Sequence, residues 1–224
     1  VRYLVLASDY DGTLATNGVV DRDTVEALKR LAATGRKLIL VTGRQLADIF
    51  QAFPEAAIFD AVVAENGAVL YRPQRKETRV LASPPSPAFV EALQRRGVAP
   101  LWLGQAVVAT VQPNETVVMD VIREFGLDLH VILNKGSVMV LPASVDKATG
   151  LQAALDDLAL DAKNVVGVGD AENDQAFLAM CGCGVAVGNA LDPLKAAAKH
   201  VTRAEAGAGV REVIESLISN DRPW

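Results

Sequence analysis

The chain has 224 residues, half of them hydrophobic and 22% charged, with a formal net charge of −5. That composition suits a soluble globular chain with a sizeable core. It disfavours a broad nucleic-acid surface and a polybasic membrane contact, both of which need excess Lys and Arg. A small anionic ligand stays allowed, because one local pocket can be positive on an acidic protein.

The first element expected is a strand, from the apolar run Tyr3–Ser8. It is too short for a signal peptide or a membrane span, and Asp9 ends it. Asp23 reads as a helix N-cap with Glu26 completing a capping box. Val25, Leu28 and Leu31 follow at helical spacing, and Gly35 reads as the stop. Lys37–Val41 predicts a second buried strand, leading to Thr42-Gly43-Arg44, and a short helix covers Leu46–Phe53. Ala61–Ala64 predicts a third strand that runs into Glu65-Asn66-Gly67.

The middle of the chain changes character. Ser83–Pro87 is a Pro/Ser linker. A helix (Ala88–Arg96), a strand (Val107–Val111) and a helix (Glu115–Phe125) follow. Then come two strands, Leu129–Leu133 and Ser137–Leu141, joined by an Asn134-Lys135-Gly136 hairpin turn. Alternation returns afterwards: helix Lys147–Leu158, strand Asn164–Val168, helix Asn173–Met180, strand Gly184–Val187, and helices Pro193–Lys199 and Val210–Ile218. Alternating β and α elements imply α/β architecture, a doubly wound parallel sheet. The middle reads as a small α+β cap inserted into it. The expected division is a core of 1–82 and 145–224 with a cap of 83–144. Cys181 and Cys183 lie too close in sequence to bridge without strain, and read as free thiols in a reducing cytoplasm.

Chemistry is expected at the strand ends, where ligands of open α/β sheets bind. Asp9-Tyr10-Asp11-Gly12-Thr13-Leu14 follows the first strand. Two carboxylates facing one pocket need a cation or a shared proton, and Gly12 lets the backbone approach a phosphate. Gly169-Asp170-Ala171-Glu172-Asn173-Asp174 follows another buried strand and adds further hard oxygen donors. Such donors suit Mg²⁺, which takes a few carboxylates, waters and substrate phosphate. Thr42 and Gly43 offer a hydroxyl and an N–H to a phosphate oxygen. Lys147 stands at a helix start, where the macrodipole disfavours a cation, a placement that hints at a ligand.

Asp9–Leu14, Thr42, Lys147 and Gly169–Asp174, in this order, resemble the four motifs of the haloacid dehalogenase superfamily of aspartyl-phosphate enzymes. The inserted cap after Glu65-Asn66-Gly67 is similar to that of the Cof-type branch, nearest to its smaller phosphoglycolate-phosphatase-like members. The resemblance implies that Asp9 is the nucleophile and Asp11 the general acid and base. It implies Mg²⁺ held by Asp9, the Asp11 carbonyl and Asp170, with Asn173 and Asp174 orienting its waters. Thr42 and Lys147 would bind the phosphoryl oxygens; Arg44 and Asn66 either face the substrate or are structural. The implied activity is hydrolysis of a small phosphorylated metabolite, a sugar phosphate or short acid, with the cap selecting it and the Asn134-Lys135-Gly136 turn as first candidate. A phosphomutase and a non-catalytic phospho-acceptor or metal-binding regulator are the alternatives. No nucleic acid or membrane partner is expected, and nothing in the sequence specifies an oligomeric state.

Overall fold

The structure is a computed structural model describing residues 2–220. Val1 and 221–224, at the ends of the expected core range, lie outside the described residues. The amino-terminal half begins β1 (Val5–Ser8), α1 (Arg22–Ala33), β2 (Lys37–Val41), α2 (Leu46–Ala52) and β3 (Ala61–Ala64). Every residue of β1 and β3 is buried, as are four of five in β2. Strands apolar on both faces demand cover on both faces. One covering pair is α1 with α8 (Ala206–Asn220); another is α5 (Lys147–Leu158) with α6 (Gln175–Met180).

Eight strands form the large sheet. Its order is β12-β11-β10-β1-β2-β3-β4-β5, where β4 is Val69–Arg72, β5 Glu77–Val80, β10 Val165–Gly169, β11 Cys183–Ala186 and β12 His200–Val201. From β12 to β3 all pairs are parallel. The expected doubly wound parallel sheet is present, and β4 and β5 extend it antiparallel at one edge. All four residues of β5 are exposed, and Glu77 and Arg79 mark it as a charged edge strand. α7 (Asp192–Ala197) precedes β12.

A second sheet, order β6-β7-β9-β8, comes from the middle of the chain and is antiparallel throughout. It comprises β6 (Trp102–Leu103), β7 (Val108–Val111), β8 (Leu129–Asn134) and β9 (Ser137–Pro142), with helices α3 (Pro87–Arg95) and α4 (Glu115–Glu124). Ser86 caps α3 by accepting from Phe89 N at 3.3 Å, with Pro87 in the first turn. Period-two alternation along β9 splits its side chains. Val138 and Val140 pack with Phe89, Leu93, Val118 and Val121 of the two helices. Met139 and Leu141 pack with Ala68 and Val145 on the large-sheet side. This face is what seats the cap on the core.

Two local expectations are corrected. The N-cap of α1 is Asp21, which accepts from Thr24 N at 2.9 Å; Asp23 lies in the first turn and Glu26 pairs with Lys29. Asp21 wins because it also meets the Thr24 hydroxyl and Arg211. The last helix begins at Ala206 rather than Val210. Its first turn reads as loop because of two glycines, which admit close packing against Thr24 and Thr202. No helix among the described residues is long and apolar enough to cross a membrane.

Candidate active site

Parallel pairing of β1 with β10 aligns Ser8 with Val168, so Asp9 and Asp170 leave adjacent strands at the same end of the sheet. Asp174 follows in the 3₁₀ turn Glu172–Asp174. Carboxylate oxygens of Asp9, Asp170 and Asp174 lie within 4.8 Å of one another, and all three residues are buried. Capping by Asp146 and Thr149 starts α5 at Lys147, and the Lys147 ammonium enters this cluster. It donates to Asp9 Oδ1 and Asp174 Oδ1, each at 2.6 Å. The unfavourable helix-start position of Lys147 is thereby explained: two carboxylates outweigh the local dipole.

The three acids differ in what remains free. Asp174 Oδ2 accepts from the backbone N–H groups of Asp170 and Ala171, at 2.9 and 3.0 Å. With Lys147 on its other oxygen, Asp174 is committed to holding the loop. Asp170 Oδ1 accepts from the Thr13 hydroxyl at 3.2 Å. Asp170 Oδ2 and the carbonyl of Asp11 instead receive the ammonium of Lys135, at 2.9 and 2.6 Å. Burial, then Asp174, push the Asp9 carboxyl up to about 7, against the opposing pull of Lys147. Burial alone would lower Lys147, but Asp174 and Asp9 outweigh it and raise its pKa. Asp170 is raised by burial, with Lys135 opposing.

These donors fit a hard divalent cation. Asp9, Asp170 and the Asp11 carbonyl supply oxygens only, and a positive ammonium stands on two of them. Asn173 Oδ1, in the same 3₁₀ turn as Asp174, is buried without a protein partner. Gly12 has φ +86°, and a Cβ there would fall on the Asp170 carboxylate and within 2.6 Å of Lys135 Nζ. Only glycine leaves room for both groups.

A cavity of about 540 Å³ opens above the cluster. Asp9, Asp11, Gly43 and Arg44 line its floor, while Trp102, Thr110, Lys135 and Ser137 of the cap line the roof. Asp11 is clamped by Arg44, with Nε and Nη2 donating to its two oxygens at 2.7 and 2.6 Å. Thr42 is fully buried and its hydroxyl accepts from Arg44 N at 3.1 Å. Asn66 is also fully buried and sits behind the wall, its side chain accepting from Asn173 and donating to Met139 Sδ. Eight sequence-identified residues, Asp9, Asp11, Gly12, Gly43, Arg44, Lys147, Asp170 and Asp174, thus come together; Thr42, Asn66 and Asn173 do not line the cavity.

Two contributors escape sequence reasoning. Asn189 donates to the Gly12 carbonyl at 2.8 Å and accepts from Ala206 N at 2.7 Å, fixing the loop after β1. Glu65 carries no sequence signal beyond its place after a strand. Its carboxylate accepts from the cap N–H groups of Gln105 (2.9 Å), Ala106 (2.9 Å) and Val107 (3.1 Å).

A mostly parallel sheet wrapped by helices, with a cap seated over the strand ends and acids converging beneath it, defines a doubly wound α/β protein with an inserted cap. A family model described as haloacid dehalogenase-like hydrolase matches residues 6–113 and 115–214, and the chain belongs to that family. It is 30% identical over 219 residues to a phosphoglycolate phosphatase of Methanothermobacter thermautotrophicus, covering 95% of this chain and 98% of the relative. It is 29% identical over 225 residues to one of Sulfolobus acidocaldarius, covering 97% of each. A crystal structure of a haloacid dehalogenase-like hydrolase from Bacteroides thetaiotaomicron superposes with a TM-score of 0.83 at 22% identity, over 96% of this chain and all of that one.

Proposed function

We propose that this chain hydrolyses a small phosphate monoester in two steps, with Asp9 as the nucleophile. The observation that carries the reading is the convergence of Asp170 and Lys147 on Asp9, which itself lines the floor of the capped cavity. Asp9 Oδ attacks phosphorus, the ester P–O bond breaks, and Asp11 gives its proton to the departing alkoxide. Asp11 then takes a proton from water as that water attacks the aspartyl phosphate, releasing phosphate and restoring Asp9. Lys147 and the Thr42–Gly43 turn bind phosphoryl oxygens and offset their charge. To act, Asp11 must release Arg44 and take up a proton from solvent before it can give that proton to the ester oxygen, since both of its oxygens accept from the guanidinium.

Mg²⁺, held by Asp9, the Asp11 carbonyl and Asp170, would neutralise charge on the transferring phosphoryl group. The cap spans 83–144 in this reading and selects the leaving group. Full-length similarity to phosphoglycolate phosphatases supports a short phosphorylated acid as substrate. The test is phosphate release over a panel of phosphorylated acids, sugar phosphates and an aryl phosphate, with Mg²⁺ and after chelation. Turnover led by the phosphorylated acids and abolished by chelation is expected. Undiminished turnover after thorough chelation sinks the cation assignment, and a sugar phosphate as best substrate sinks the acid.

A further inference from the structure

We propose that Lys135 is the site's internal counter-cation: its ammonium and a divalent cation take the same oxygens, so binding the cation expels Lys135 into the cavity. The inference rests on the assignment of Asp170 and the Asp11 carbonyl as cation ligands. Lys135 Nζ is 2.6 Å from the Asp11 carbonyl oxygen and 2.9 Å from Asp170 Oδ2. A Mg²⁺ ion bonds such oxygens at about 2.0–2.1 Å. An ammonium pressed against those oxygens leaves no place for the ion, and two cations that close repel strongly.

Charge balance gives the ammonium a reason to be there. Three carboxylates are buried together, and Lys147 alone cannot offset them. Mutual repulsion of buried carboxylates is costly without further positive charge. Lys135 supplies it from the cap, across 124 positions of sequence from Asp11.

The mounting suits an exchangeable group. Asn134 pairs with Ser137 across the hairpin, leaving a two-residue loop. Lys135 and Gly136 have φ +49° and +83°, the signature of a type I′ turn, which matches strand twist and holds its shape. The turn therefore fixes the backbone while the four-carbon stem stays free to swing, and the side chain is 50% exposed. Other contacts seat the cap independently: Glu65 on 105–107, and Met139 on Asn66. Expelling the ammonium does not require undocking the cap.

One consequence is coupling. Once expelled, Lys135 lies in the cavity that receives the phosphate and becomes its partner. Cation and oxyanion should then bind cooperatively, each strengthening the other by the same factor.

The test needs no turnover. Mg²⁺ affinity is measured by calorimetry for the wild-type chain and Lys135→Met, with and without inorganic phosphate. Acetylation of Lys135 by an amine-reactive ester is followed in parallel by mass spectrometry. Expected are Mg²⁺ binding about tenfold tighter in Lys135→Met, a larger gain from phosphate in wild type than in the variant, and Lys135 labelling that rises several-fold when Mg²⁺ saturates. Mg²⁺ binding that leaves Lys135 labelling unchanged overturns the exchange, even if the variant binds tighter through loss of charge alone. Equal affinities in the two chains overturn it as well. Failure of both chains to bind Mg²⁺ overturns the ligand assignment itself, and this inference with it.

Discussion

Lys147 holds Asp9 and Asp174 together at equal distance, 2.6 Å to one oxygen of each, and all three residues are closed to solvent. Breaking a buried pair by removing one partner leaves uncompensated charge, at a cost of roughly 3–5 kcal/mol. Lys147→Met should therefore lower the urea midpoint at pH 7 by a matching amount, with little change in the slope. An unchanged midpoint would show that the acids do not depend on Lys147 for their burial.

The roles proposed for Asp9 and Asp11 make different predictions. Asp9→Asn should keep the fold and abolish turnover, since an amide cannot form the acyl phosphate. Asp11→Asn should slow turnover about 10²–10⁴-fold while phosphate and cation binding persist. Steady-state kinetics with binding measured alongside checks both; near-normal kcat in Asp9→Asn excludes the covalent route.

Glu65 ties the core to the cap through three backbone amides. Glu65→Ala strips the acceptors from these N–H groups, each worth about 1–3 kcal/mol when buried and unsatisfied. Amide exchange at 105–107 should accelerate more than tenfold, with KM rising for the best metabolite. Glu65→Gln should be milder, because its single carbonyl oxygen can still accept from Ala106 and Val107, which share one oxygen now. Identical exchange in Glu65→Ala and wild type would remove Glu65 as the anchor.

Cys181 and Cys183 are free and buried. Burial, with Cys183 adding to it, pushes the Cys181 thiol up to about 12. The thiolate is the reactive form, so Cys181 stays protonated and inert across pH 7–9. Iodoacetamide at pH 8 should leave Cys181 unmodified in the folded chain and modify it quickly in denaturant. Fast modification in native buffer would contradict its placement.

What the sequence disclosed follows from locality. Apolar runs such as Lys37–Val41 and Ala61–Ala64 declare themselves as buried strands, and an acidic turn directly after one declares a strand-end site. Hence the sequence points to Asp9 and Asp170 as strand-end acids, together with the sheet that carries them. Contacts that need distant partners were hidden. Asp23 reads as the cap from local pattern alone, whereas the contact that favours Asp21 comes from Arg211 of α8. Glu77–Val80 has no buried face, so periodicity is silent about β5. The hairpin turn at Lys135 was visible, but its reach onto Asp170 depends on how the cap is seated. Glu65 has φ +51°, a strained geometry that its anchoring bonds sustain and that no residue preference announces.

The pairing of β1 with β2 on one side and β10 on the other also sets a timetable for the growing chain. A ribosome delivers β1 to β3 early, yet the strand that leads to Asp170 emerges only after residue 164, so Asp9 waits unmatched through most of translation. The antiparallel middle sheet, with its own apolar cluster, closes through shorter loops and can condense meanwhile. Ribosome-bound chains stopped before β10 should thus carry a structured cap beside an unfinished sheet with an open inner edge. That edge is the stretch most in need of protection from neighbouring chains until β10 arrives.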